Sequence, residues 1–277
     1  GALALLGAVM LLAHRFTSVA LPDWAYYCAV GALVLGIVEW SLGRMTPDAA
    51  WEWNKSLIFA LGMATLIRWP IAEPYRIPSG SMETTLHGDP DFGKGDRVFV
   101  NKFVYGVRYP FMNKRIWQGT APKRWDIVVF KSVEPDAEHP TLVKRIVGMP
   151  GDTLHMRDAK LFVNGIEQRQ GYGASSEAGD PNEVSPLFDW QKEIALTASR
   201  FGAAPAQPTH DYWGPLVVPQ GHYFMMGDNR YNSKDSRYWG VVPRENFRGR
   251  PLFVYYSWNA ESDRPLAFIT AIRWGRI

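Results

Sequence analysis

The chain has 277 residues, a net charge of +3 and charged side chains at 21%. That length holds one domain of ordinary size plus a membrane anchor, or two small domains, and so slight a basic excess excludes a nucleic-acid binder built on basic clusters. The lone cysteine, Cys28, excludes an internal disulfide and a cysteine-based zinc site.

Three apolar runs come first. Residues 1–13 are apolar up to His14 and Arg15, too short a run to span a bilayer unaided. They read as a truncated or short span, an interfacial segment or a signal-type apolar region. Residues 25–42, AYYCAVGALVLGIVEWSL, carry Trp24, Tyr26 and Tyr27 at one end and Trp40 at the other, as interfacial aromatic belts do. Residues 56–72, SLIFALGMATLIRWPIA, end near Arg68 and Trp69, where arginine can reach headgroups. Each run could instead be a buried core helix. Their crowding into the first quarter of the chain favours an anchor of two or three transmembrane helices over residues 1–73. The loop 43–55 holds Arg44 and Lys55 and is assigned to the cytoplasm, which puts residues 74–277 on the outer side.

After residue 74 the pattern changes to short stretches rich in Val, Phe and Tyr, separated by Gly, Pro and Asp: RVFVNKFVYGVRY, DIVVFKSV, TLVKRIVGM, KLFVNG, LVVP, HYFMMG and LFVYYSW. They predict a mainly β fold with an antiparallel sheet. Asn164-Gly165 reads as a hairpin tip. The span 170–207 is rich in Gly, Ala, Ser and Pro and predicts loops with a short helix near 190–199. It belongs to a smaller subdomain inserted at about 153–218.

Three segments carry chemistry. In Ile77-Pro78-Ser79-Gly80-Ser81-Met82, a serine beside a glycine on a turn can expose its hydroxyl to a substrate backbone, although such tripeptides are common in loops. In Leu142-Val143-Lys144-Arg145-Ile146-Val147, period-2 alternation puts Lys144 on one face with Leu142 and Ile146. If that face is inward, burial lowers the amine's pKa and lets it take a proton from a serine hydroxyl; otherwise Lys144 is an edge-strand lysine that discourages aggregation. The polar loop 227–240, GDNRYNSKDSRYWG, lies between Phe224-Met225-Met226 and Tyr238-Trp239. Its carboxylate spacing is wrong for a calcium loop. The six histidines form no metal-binding pair, and no GxSxG, Walker or GxGxxG motif is present. His210-Asp211 is set aside as a fragment of a dyad.

Taken in order, PSGSM, GDRVFVNK, RWDIVVFK, KRIVGMPGD and MGDNRYNSKDSRYWG resemble bacterial signal peptidase I, over about residues 56–249. The resemblance implies a membrane-bound serine endopeptidase that cuts signal peptides from exported preproteins after small residues, without metal or cofactor. Ser81 falls on its nucleophile and Lys144 on its general base. Ser79, with the Ser81 backbone N–H, falls on its oxyanion hole. Ser233 matches the residue that orients the lysine amine, Asp228 pairs with Arg145, and Asp235 and Arg237 support the same loop. Tyr75, Ile77, Pro78, Met82, Leu142 and Val143 match its substrate pockets. The implied location is the bacterial inner membrane, multi-pass, with the catalytic part in the periplasm and membrane lipids as partners. Trp258 and Trp274 are expected at an apolar rim that meets the bilayer. The chain departs from the family at Glu83-Thr84, where proline is common. A relative dedicated to one or few secreted substrates would carry the same motifs, and a tethered domain that binds exported peptides without cutting them is the non-enzymatic alternative.

Overall fold

The computed structural model describes residues 72–277 apart from 92–93, 110–113, 136–139, 170–179, 181, 197–198 and 200, together with scattered positions between 31 and 63. The chain divides into two units, residues 1–71 with 108–112, and the remainder. In the first unit the described positions are mostly helical, and Lys55 pairs with Glu52 one turn earlier at 2.6 Å. No helix among the described residues is long and apolar enough to cross a membrane. The apolar runs expected to anchor the chain fall largely outside the described residues.

The second unit is mainly β and antiparallel. Its strands are β1 Ala72–Arg76, β2 Arg97–Asn101, β3 Ile127–Lys131, β4 Thr141–Gly148, β5 Thr153–Arg157, β6 Lys160–Val163, β7 Ile166–Glu167, β8 Trp213–Val217, β9 His222–Met226, β10 Val242–Pro243 and β11 Phe247–Tyr256. Seven of them form one sheet in the order β1-β2-β11-β3-β4-β9-β10, and four form a second in the order β7-β6-β5-β8. The second sheet is built wholly from residues 153–217. Val163 pairs with Ile166 around a two-residue turn, where Asn164 (φ 53°) and Gly165 (φ 85°) both adopt the left-handed conformation that such hairpins need. The helix expected near residue 190 is a single turn, Gln191–Ile194.

Alternation along β4 explains the core. Ile146 is fully buried with Val128, Phe130, Tyr105 and Phe247, while Val147 is fully buried among Leu154, Trp213 and Phe224. Each such side chain contributes about 1.5–3 kcal/mol on burial. The Val147 group joins the two sheets: Trp213 of β8 stacks on Phe224 of β9 with ring centroids 5.2 Å apart. In β11 the pairing shifts between Pro251 and Phe253, and the bulge turns Leu252 outward.

One expected strand is interrupted. RVFVNKFVYGVRY reads as continuous β, but β2 stops at Asn101 and Phe103–Tyr105 form a 3-10 turn. Lys102 adopts helical angles, and the Asn101 side chain accepts from the Val104 amide, drawing the chain into a turn.

Candidate active site

Strand β1 ends at Arg76, and the chain then turns sharply through Gly80–Met82. Pro78 limits the backbone before the turn, and Ser79 is extended (φ −141°). The turn is anchored from beneath by Met82, fully buried with Ile77, Leu86, Val98, Val100 and Val129. It is held from the side by Asn229, whose backbone amide donates to Ser81 O at 3.1 Å and whose side-chain amide donates to Gly80 O at 3.3 Å. A closely approaching backbone completes the grip. A Cβ on Gly227 would lie 2.4 Å from Ser81 O and 2.2 Å from Ser233 Oγ, so only glycine fits there.

The Ser81 hydroxyl points at Lys144. Lys144 Nζ lies 2.5 Å from Ser81 Oγ, and Ser79 Oγ lies 3.2 Å from the same oxygen. Lys144 is 4% exposed, so its side chain is buried rather than presented to solvent from the strand. Burial is the main cause that pulls its pKa from 10.5 down to about 8. Asp235 and Asp228 pull it up and Arg237 pushes it down.

Two ion pairs support this geometry. Arg145 forks onto Asp228, with Nε 2.7 Å from Oδ1 and Nη2 2.6 Å from Oδ2, and its Nη1 donates to Trp125 O at 2.8 Å. Thr85 adds its hydroxyl to Asp228 Oδ2 at 2.5 Å, tying the segment after Ser81 to the same carboxylate. Asp235 and Arg237 form a second fork, fully buried, through Nε and Nη2 at 2.8 Å each. Asp235 also accepts from Ser233 Oγ at 2.9 Å and from the Gly227 amide at 3.1 Å. Arginine keeps the Asp235 carboxyl ionised, below its ordinary pKa despite the opposing effect of burial.

Two expectations need correction. The Ser233 hydroxyl, expected against the lysine amine, donates to Asp235 at 2.9 Å. Ser233 bears on Lys144 through Asp235. Met82 does not reach the substrate groove, since its side chain points into the core. Tyr75, Ile77, Pro78, Leu142 and Val143 do line a groove that ends at Ser81 and Lys144, and so do Arg76, Val129 and Thr141, which the motifs do not single out. Asn229 and Thr85 are further residues that the motifs leave unmarked; Asn229 could have been found as the one polar side chain of the GDN triplet left without a role. The Glu83–Thr84 peptide bond is cis.

The groove has an open side. β3 pairs with β4 from Thr141 to Arg145, whereas among the described residues β9 pairs with it only from Arg145 to Gly148. Among the described residues no strand pairs with the outer edge of residues 141–144, which lines the groove together with residues 75–79.

The family model for signal peptidase, peptidase S26, matches residues 50–258. Signal peptidase I of Pseudomonas fluorescens is 36% identical over 225 residues, covering 75% of this chain and 72% of the relative. Signal peptidase I of Pseudomonas aeruginosa is 35% identical over 221 residues, with the same shares covered. Signal peptidase I T of Bacillus subtilis is 33% identical over 209 residues, covering 75% of this chain and 86% of the relative. With a matched stretch that spans most of its length and takes in both Ser81 and Lys144, the chain belongs to the signal peptidase family, peptidase S26.

Proposed function

We propose that this peptidase works by a Ser81/Lys144 pair and cuts exported precursors after small residues. The removal of signal peptides by serine chemistry follows from the family. The observation that carries the residue roles is the contact of 2.5 Å between a buried amine and the nearest hydroxyl.

The chemistry is as follows. Neutral Lys144 takes the Ser81 proton as Oγ attacks the scissile carbonyl. The oxyanion that forms accepts from the Ser81 backbone N–H and the Ser79 hydroxyl, each lowering the barrier by about 3 kcal/mol. Collapse breaks the C–N bond, and the Lys144 ammonium protonates the leaving amine. A water, deprotonated by Lys144, then hydrolyses the Ser81 ester. The Asp228–Arg145 pair holds the nucleophile turn, and the Asp235–Arg237 pair holds Ser233 and Gly227 behind it.

Substrate is recognised as an added β-strand on residues 141–144. The shallow apolar walls from Tyr75, Ile77, Pro78, Leu142 and Val143 admit small side chains and exclude large ones by clash. Cleavage of a precursor by purified protein tests the pair: Ser81→Ala and Lys144→Ala are each expected to abolish it, and retained cleavage in both removes the proposal. The same site would serve an enzyme dedicated to few substrates, which a survey of processed precursors separates.

The apolar runs at 1–13, 25–42 and 56–72 support a multi-pass anchor in the inner membrane, with residues 74–277 on the periplasmic side. Protease added to intact spheroplasts is then expected to digest residues 74–277; protection of that part would overturn the orientation.

A further inference from the structure

His210 and Asp211 touch neither Ser81 nor Lys144, yet both are buried, 2% and 6% exposed. They belong to the stretch that leads into β8. Asp211 Oδ1 lies 2.6 Å from His210 Nδ1, which sets the ring proton on that nitrogen. Tyr231 donates its hydroxyl to Asp211 Oδ2 at 2.5 Å and stacks on the imidazole with centroids 4.7 Å apart. The other ring nitrogen, Nε2, then meets Arg237 Nη1, with Arg230 O 3.0 Å away. The His210 amide donates to Glu183 O at 3.1 Å.

Arg237 is therefore gripped from opposite ends. Nε and Nη2 fork onto Asp235, with Nη2 also donating to Arg230 O at 2.6 Å, and Nη1 meets His210. Its backbone carbonyl accepts from Trp190 Nε1 and Gln191 Nε2, each at 3.0 Å, so the same region braces it twice. A continuous run of contacts leads from Asp211 through His210, Arg237 and Asp235 to the amide of Gly227, a residue whose missing Cβ leaves room for Ser81 O.

We propose that His210, held by Asp211 and Tyr231, is a positioning residue for the Ser81–Lys144 pair: it fixes Arg237, which fixes Asp235 and, through it, Ser233 and Gly227 behind the nucleophile turn. This rests on the roles given above to Ser81 and Lys144. It also gives the region around β8 a task in the reaction, although none of His210, Asp211, Trp190 and Gln191 lines the groove. A buried guanidinium that loses one of its two grips keeps its fork to Asp235 but gains freedom to tilt. Its charge opposes that of Asp235 at Lys144. A tilt away would leave Asp235 less balanced and hold the proton on Lys144 more firmly.

Steady-state cleavage of a precursor by the full chain in detergent tests this with His210→Ala, His210→Gln, Tyr231→Phe and Lys144→Ala. His210→Ala is expected to lower kcat tenfold or more with KM unchanged, and to move the acid limb of the kcat profile to higher pH. The glutamine amide oxygen can accept from Arg237 in place of Nε2, so His210→Gln is expected to recover most of kcat. Tyr231→Phe keeps the stacking and loses one hydroxyl contact; it is expected to lower kcat about threefold. The inference is overturned if His210→Ala leaves kcat and the acid limb unaltered, if its loss lies in KM alone, or if glutamine does no better than alanine. Should His210→Ala fail to fold, an unaltered kcat in Tyr231→Phe overturns it. Cleavage retained by Lys144→Ala removes the underlying pair instead, whereas an inactive Lys144→Ala beside unaffected His210 and Tyr231 variants removes only this inference.

Discussion

A lysine that serves as a base needs its proton removed at working pH, and Lys144 meets that need through burial. Its pKa of about 8 predicts that kcat/KM rises with pH and levels off above an acid limb with its midpoint near 8. A profile flat from pH 6 to pH 9 would exclude Lys144 as the group that titrates. The same displacement has a cost in stability. Between the folded value of about 8 and the unfolded value of 10.5 the unfolded chain binds the proton and the native state does not, so stability rises with pH across that window. Below it the buried amine costs about 3 kcal/mol. Lys144→Met is therefore expected to raise Tm at pH 7 by roughly 5–10 °C, with the gain fading as pH approaches 10.5. Equal Tm values for the two proteins at pH 7 would contradict this. Period-2 alternation makes the face of Lys144 legible in the sequence, because the residue lies in a regular strand. The hydrogen bond from Ser233 to Asp235 is not legible there, since only the folded loop brings the two side chains within 2.9 Å.

Among the elements, the loop from residue 227 to residue 237 does most to shape the site. It delivers Asp228 to Arg145, Asn229 to the Ser81 turn and Asp235 to the space behind Lys144. Gly227 lets it approach so closely. Gly227→Ala would push Ser81 O or Ser233 away by an appreciable fraction of an ångström, and kcat is expected to fall by about 100-fold. Measured beside an unchanged far-UV spectrum, a wild-type kcat would refute the close approach. The sequence marks this segment by its density of polar groups between aromatic flanks, but not by the identity of the glycine contact, which joins residues far apart in the chain. The turn at Phe103–Tyr105 is hidden for a related reason: its residues have high strand propensity, and the side chain of Asn101 together with helical angles at Lys102 overrides them. The family resemblance puts Met82 among the pocket residues, whereas a turn this tight sends the side chain after Ser81 into the core.

For the whole molecule, the exposed apolar side chains call for a partner. Leu252, Phe253, Leu266, Phe268, Ile269 and Trp274 are all exposed, Trp274 at 73%, while Trp258 is half-buried. Of the two tryptophans expected at the rim, Trp274 is thus the exposed one. Phe253→Asp combined with Trp274→Ala is expected to slow cleavage of a vesicle-embedded precursor about tenfold while sparing a short soluble peptide. Equal losses on both substrates would assign these residues to the fold rather than to a bilayer. The mainly antiparallel fold is legible from Val, Phe and Tyr stretches with punctuating Gly and Pro. The order of strands is not, because β11 enters between β2 and β3 from the far end of the chain, a pairing that no local pattern announces.

The free edge of residues 141–144 sets a condition on timing. A strand can be completed there only by a chain that is locally extended and has no other partner for its amides and carbonyls. A precursor whose cleavage junction has already coiled into a helix, or has been drawn into its own mature domain, offers nothing to that edge. If substrate adds there as the proposed strand, the enzyme would select for the conformational age of its substrate as well as for the size of its side chains.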